Sequence, residues 1–269
     1  MDTAPETMSP EAASGPDRDG PPEAPERRAF VRRDHAGLNY LALLSAIHRR
    51  LEPRTYLEIG SATGESLRLS RAASVAVDPR FAIASDVIGA KPSLHLMQMT
   101  SDAFFEGGHA RRLLPDGVDF AFLDGLHLFE VLLRDFIHVE KLAHWRTAVA
   151  VHDCLPPSVE IAERDFRPHL RQDPVWRNHW TGDVWKLVPI LRRFRPDLRL
   201  VAFDAPPSGL LLVRNLDPTS RVLERAYAAI LDEYRSMELN ETTFARFYDE
   251  LPITPSAGLE HGTALGAFL

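Results

Sequence analysis

The apolar positions of this chain follow two alternating rhythms. Tyr40, Leu41, Leu44, Ile47 and Leu51 share one face at helical spacing, which predicts a helix over residues 36–51. Tyr56, Leu57 and Ile59 form a short apolar strand. Gly60 and Gly64 then bracket a turn that leads into a predicted helix over residues 65–72. Residues 74–78, Ser-Val-Ala-Val-Asp, read as a β-branched second strand, and residues 94–99 as a third, followed by a short helix over 102–106. Residues 118–124 are almost continuously apolar, which suits a parallel strand buried on both faces. Phe129, Leu132, Phe136 and Val139 fall on one helical face, and residues 147–151 form a fifth strand that ends in His152-Asp153.

This alternation predicts an α/β protein with a doubly wound, Rossmann-like parallel sheet and helices on both faces. From residue 154 the rhythm is lost. Pro156, Pro157, Pro168 and Pro174 break helices, so residues 154–186 read as an inserted, cap-like segment. A helix is expected over 184–193, with Asp183 as its N-cap and Pro189 as a kink. The apolar runs at 198–203 and 209–213 flank a turn-rich link and predict an antiparallel hairpin. Asp217 is expected to cap a helix with Pro218 at its first position and Leu223, Ala226, Ile230, Leu231 and Tyr234 buried. One more short helix is expected at 240–250. The domain is thus placed at 34–251, with a C-terminal tail over 252–269 of little pattern.

Residues 1–33 carry Pro5, Pro10, Pro16, Pro21, Pro22 and Pro25 among acidic and small residues. Such a segment buries too little apolar surface to offset its ordering entropy and is expected to be a disordered tail. An arm covering the active site or a neighbouring subunit of a homo-oligomer is the alternative use. The net charge of −7 disfavours nucleic acid or an anionic membrane as the main partner. No apolar run approaches the roughly 18 residues of a membrane span. The lone cysteine, Cys154, excludes an intrachain disulfide and points to a reducing, cytoplasmic setting.

Ligands of doubly wound sheets bind beyond the carboxyl ends of the strands. The polar residues at those ends are Glu58 and Gly60, Asp78, Asp102, Asp124, and His152 with Asp153. The glycine spacing is G-x-x-x-G, not G-x-G-x-x-G, which disfavours a dinucleotide and leaves an NAD(P)-dependent oxidoreductase as a lesser alternative.

The order of these features resembles class I S-adenosylmethionine (SAM)-dependent methyltransferases over roughly residues 53–217. That resemblance implies a seven-stranded sheet, mostly parallel, with an antiparallel last strand. Phe122-Leu-Asp-Gly-Leu-His127, Phe129-Glu130, Arg134-Asp135-Phe136 and His152-Asp153 look more narrowly like the small-molecule O-methyltransferase group that includes catechol, macrolide-sugar and cephalosporin-pathway enzymes. Trp180-Thr-Gly-Asp-Val-Trp-Lys186 looks like part of a bacterial subgroup.

On this reading SAM is held by Glu58 (at its ammonium), Gly60, Ser61 and Gly64 (the turn), Asp78 (the ribose hydroxyls), Ser101 and Asp102 (the adenine), and Asp124. The methyl acceptor is a hydroxyl of a small molecule, a sugar or a secondary metabolite. A hydroxyl needs a base, a metal or both to become a nucleophile. In the resembling metal-dependent enzymes the acid at Asp124 and the pair at His152-Asp153 are ligands, so the divalent cation here falls to Asp124, His152 and Asp153. Mg²⁺ and Mn²⁺ are the leading ions, and the imidazole of His152 shifts preference towards Mn²⁺ or another borderline metal. Sugar-modifying relatives often carry an acid two positions after the first ligand as base. Leu126 stands there, which leaves His127 as the substitute base. The catalytic set is therefore His127, Asp124 and His152. A non-catalytic partner module on the same fold is the competing reading.

Overall fold

The strands of the computed structural model are β1 (Thr55–Ile59), β2 (Ala73–Val77), β3 (Leu94–Met97), β4 (Phe120–Leu123), β5 (Ala148–His152), β6 (Arg199–Phe203), β7 (Leu210–Arg214) and β8 (Ile253–Thr254). They form one sheet in the order β3-β2-β1-β4-β5-β7-β6-β8. The first five are mutually parallel, and β7 runs antiparallel between β5 and β6. The helices are α1 (Tyr40–Leu51), α2 (Ser101–Glu106), α3 (His109–Leu113), α4 (Phe129–Glu140), α5 (Leu187–Phe194), α6 (Val222–Tyr234) and α7 (Glu241–Glu250). The structure describes residues 32–261 and 264–269.

Strand alternation sorts the core onto the two faces of the sheet. Leu57, Val75, Leu123 and Val149 point to the face covered by α4, α5 and α6. Tyr56, Ala76, Phe122 and Ala150 point to the face covered by α1. All residues of β4 and β5 are buried, as their unbroken apolar character demands.

Six expectations need correction. Among the described residues the sheet has eight strands, not seven, because Ile253–Thr254 pairs with Ala202 and Phe203 on the outer edge. Two residues are too few for a periodicity to show. Beyond them Leu259 and Leu265 are buried in the cluster that holds α1, so the segment from Pro252 is part of the fold rather than a tail. The helix expected over 65–72 is a single 3₁₀ turn, Leu67–Leu69. It stops where the Ser70 hydroxyl accepts the Ala72 N–H and so competes with the backbone.

Asp183 does not cap a helix at 184. Its Oδ1 accepts from Phe129 N at 2.8 Å, at the start of α4. Pro189 lies in the first turn of α5, where a missing N–H costs nothing, so no kink is required. Asp217 makes a local turn by accepting from Thr219 N, and α6 starts only at Val222. The short helix expected at 240–250 is present as α7, capped by Asn240 and Thr243 in a reciprocal capping box.

Most of the expected N-terminal tail, residues 1–31, lies outside the described residues. Its last two residues are docked: Arg32 bridges Ser158, and Arg33 N donates to Pro157 O at 2.8 Å. No helix among the described residues is long and apolar enough to cross a membrane.

Candidate active site

A cavity of about 660 Å³ opens at the carboxyl ends of β1, β2, β4 and β5. Its wall includes Gly60, Asp78, Ser101, Asp124, His127 and His152. The inserted segment closes one side with Ile161 and residues 178–181.

The glycine turn forms one part of the wall. Gly60 has φ +86°, a left-handed backbone, and a Cβ there would lie 2.0 Å from Asp124 O. Gly60 N donates to Val77 O at 2.8 Å, and Asp124 N donates to Ile59 O at 2.9 Å, so the ends of β2, β1 and β4 are laced together at this glycine. The Asp78 carboxylate fixes the turn to β2. Its Oδ2 accepts from Ala62 N at 2.9 Å and its Oδ1 from Arg80 N at 2.7 Å. Gly64 is also left-handed, yet it packs on Val87 and, like Ser61, does not line the cavity.

Glu58 is placed otherwise than the sequence suggested, and the Asp102 carboxylate is already partnered. Glu58 is fully buried and does not line the cavity. Its carboxylate accepts from Tyr56 Oη at 2.5 Å and from Ser66 Oγ at 2.9 Å. Alternation along β1 turns it to the α1 face with Tyr56. Burial raises its pKa to about 7, although both hydroxyl hydrogen bonds favour the charged form. Asp102 does reach the cavity wall, but Arg134 grips its carboxylate in a fork at 2.8 and 2.7 Å. That hydrogen-bonded pairing holds its pKa below the usual carboxylate value. The cap of α2 is Thr100, whose hydroxyl accepts from Ala103 N.

An acid–imidazole cluster forms the adjoining part of the cavity wall. One ligand atom from each of Asp124, His152 and Asp153 lies within 4.8 Å of the others. His152 Nδ1 is 3.2 Å from Asp124 Oδ1 and 3.4 Å from Asp153 Oδ1. Asp153 has φ +60°, an uncommon conformation that ends β5 and turns its carboxylate inward, where it accepts from Ser208 Oγ. Tyr40 of α1 stacks on the His152 ring at 4.1 Å. His127 joins the cluster, its Nε2 lying 3.2 Å from Asp153 Oδ2 and 3.7 Å from Asp124 Oδ1.

Burial alone would raise the Asp124 pKa, but the His152 charge and the hydrogen bond from His127 overcome it and hold it down to about 2. Burial would lower both histidines. Instead Asp153 and Asp124 push His127 up to about 9 and raise His152.

Sequence reasoning thus placed Gly60, Asp78, Ser101, Asp102, Asp124, His127, His152 and Asp153 at one cavity, and left out Tyr40, Ser208 and Thr181. Ser208 belongs to the Asp-Ala-Pro-Pro-Ser-Gly link, a turn signal with no local mark of chemistry. Tyr40 is an ordinary position on an amphipathic helix. Trp180 lines the cavity, whereas Trp176, Trp185 and Lys186 are packed away from it. Cys154 is fully buried beside Val184 O and takes no part.

No family model and no curated protein matches this chain. Among solved structures it is similar to the SAH complex of the O-methyltransferase from Bacillus cereus (15% identity, 65% of this chain and 79% of that chain covered, TM-score 0.42). It is likewise similar to SAH-bound PaMTH1 of Podospora anserina (14%, 65% and 77%, 0.41) and to the SAM complex of the O-methyltransferase TomG of Streptomyces achromogenes, involved in tomaymycin synthesis (16%, 65% and 78%, 0.42). At these identities and scores the likenesses assign neither family nor activity.

Proposed function

We propose that this chain is a SAM-dependent O-methyltransferase that methylates a hydroxyl of a small molecule, a sugar or secondary metabolite, with a divalent cation at Asp124, His152 and Asp153. One observation carries the reading. A single cavity is lined by the Gly60 turn, by Asp78 and by the Asp124–His152–Asp153 cluster. Bound SAM would supply a methyl group activated on a sulfonium, and a bound cation a Lewis acid that lowers the pKa of the acceptor hydroxyl.

The residues fit both groups. Gly60 leaves its backbone bare towards Asp124, where no side chain has room. Each Asp78 oxygen accepts one backbone N–H and keeps a lone pair for a ribose hydroxyl. Because the Asp102 carboxylate is committed to Arg134, recognition of the adenine amino group passes to the backbone around Ser101 and Asp102. Glu58 supports the turn through Ser66 instead of meeting the ammonium. Two carboxylates and an imidazole at hydrogen-bonding separations form a mixed oxygen–nitrogen set, which favours Mn²⁺ or a similar ion over Mg²⁺. His127 is the base, taking the acceptor proton at Nε2. With both carboxylates uncompensated His127 keeps its own proton to about pH 9, so this role requires a cation that shares Asp124 and Asp153. A reducing, cytoplasmic setting accompanies the reading.

The test is transfer of labelled methyl from SAM to a panel of sugar and phenolic hydroxyls, with and without chelator. Transfer that is lost on chelation and in Asp124→Ala and Asp153→Ala supports the reading. Transfer that survives all three removes the metal from it.

A further inference from the structure

We propose that residues 180–183 are a positioning segment that holds the His127 ring by its Nδ1 proton and sets its aim; the catalytic use of that ring rests on the function proposed above. Trp180 O lies 2.6 Å from His127 Nδ1. A carbonyl only accepts, so Nδ1 carries a proton, and the ring is turned with Nε2 towards Asp153 and Asp124. The backbone of His127 is held from the same side, since Asp183 N donates to His127 O at 3.3 Å. Gly182 between them has φ +60°, and a Cβ on it would lie 1.8 Å from His127 O. The two backbones approach more closely than any side chain allows.

The holder is itself anchored. Asp183 Oδ1 accepts from Phe129 N at 2.8 Å, while Oδ2 accepts from Lys186 Nζ at 2.9 Å and Arg164 Nη1 at 3.1 Å. Thr181 N and Oγ1 both donate to Ile161 O at 2.9 Å. Thr181, Asp183 and Lys186 are almost fully buried. Trp180 and Thr181 also line the cavity, and the Trp180 ring lies 5.4 Å from that of His127. The wall that meets the acceptor and the carbonyl that orients the histidine are therefore one short stretch of chain. This accounts for the Trp-Thr-Gly-Asp motif, which leaves no side chain in the metal cluster.

The experiment is long-range ¹H–¹⁵N NMR of the full chain in chelator-containing buffer, with the His127 signals identified by their loss in His127→Gln. The expected result is a proton on Nδ1 of His127 that exchanges slowly. In Gly182→Ala its exchange becomes roughly fivefold faster or more, the worth of one hydrogen bond. Asp183→Asn keeps the acceptor for Phe129 N but drops the charge facing Lys186 and Arg164, and gives the same direction if Gly182→Ala does not fold. A wild-type His127 protonated on Nε2 alone overturns the proposal, as does unchanged exchange in the folded variants. Titration of SAM into the same samples separates the two readings. Wild-type protein that does not bind SAM refutes the proposed function and leaves the NMR result standing.

Discussion

A Cβ on Gly60 would lie 2.0 Å from the carbonyl oxygen of Asp124, so the glycine turn after β1 and the first acid of the cluster after β4 meet backbone to backbone. The neighbour is main chain and cannot swing away. Gly60→Ala must adopt a left-handed φ, at about 1–2 kcal/mol, and also push β4 from β1. We expect it to lose at least about 2 kcal/mol in urea unfolding and to lose SAM binding. Unaltered stability would show that the turn is looser than described.

The acid–imidazole cluster predicts a metal stoichiometry of one. Asp124→Asn and Asp153→Asn each remove a ligand charge and His152→Gln removes the imidazole nitrogen, and each should weaken Mn²⁺ binding by at least about tenfold. Electron paramagnetic resonance of free Mn²⁺ during titration reads this directly. Equal affinity in wild type and all three variants would mean that the cluster holds no cation.

Glu58 gives a pH dependence of stability. Burial raises its folded pKa to about 7 from an ordinary 4.5. The folded state then keeps a proton that the unfolded chain releases. The stabilisation is full below about pH 4.5 and is lost as the pH rises through about 7. At roughly 1.4 kcal/mol per pK unit the loss is at most about 3.5 kcal/mol. Denaturant unfolding of wild type and Glu58→Gln at pH 4.5, 6 and 8 isolates this group: the difference between them should shift steadily in favour of Gln as pH rises. A constant difference would place the Glu58 carboxyl in a wetter site.

Asp183 joins α4, Lys186 and the inserted segment. Asp183→Ala strands the Lys186 ammonium, which is 1% exposed and keeps only Arg235 O at 3.3 Å. Removing one partner of a buried pair costs about 3–5 kcal/mol. That loss should appear in urea unfolding, and Lys186→Met in the Asp183→Ala background should recover much of it.

How much was legible follows from what each residue reports locally. The strand-end acids Asp78 and Asp124 and the His152-Asp153 pair stood out because an apolar strand has no need of a terminal charge, and the fold gathers those ends at one cavity. Glu58 carried the same mark but faces the other way, because register along β1 decides which side of the sheet a residue meets. Asp102 was visible as an acid, while its partner Arg134 lies 32 residues on, a separation no periodicity reveals. The helix expected after the glycine turn failed on a local competition at Ser70. Ile253–Thr254 is too short to signal a strand, and Tyr40 reaches His152 only through tertiary packing.

The cavity lined by Gly60, Asp78 and the acid–imidazole cluster is expected to hold SAM. Isothermal titration calorimetry of the folded chain with SAM tests it most directly, with Asp78→Ala as the paired variant. The account predicts one site in the wild type and at least about tenfold weaker binding in Asp78→Ala at unchanged fold, the loss expected when ribose hydroxyls give up a charged acceptor. A folded wild-type chain that takes up no SAM, or an Asp78→Ala variant that binds it equally well, would contradict the account.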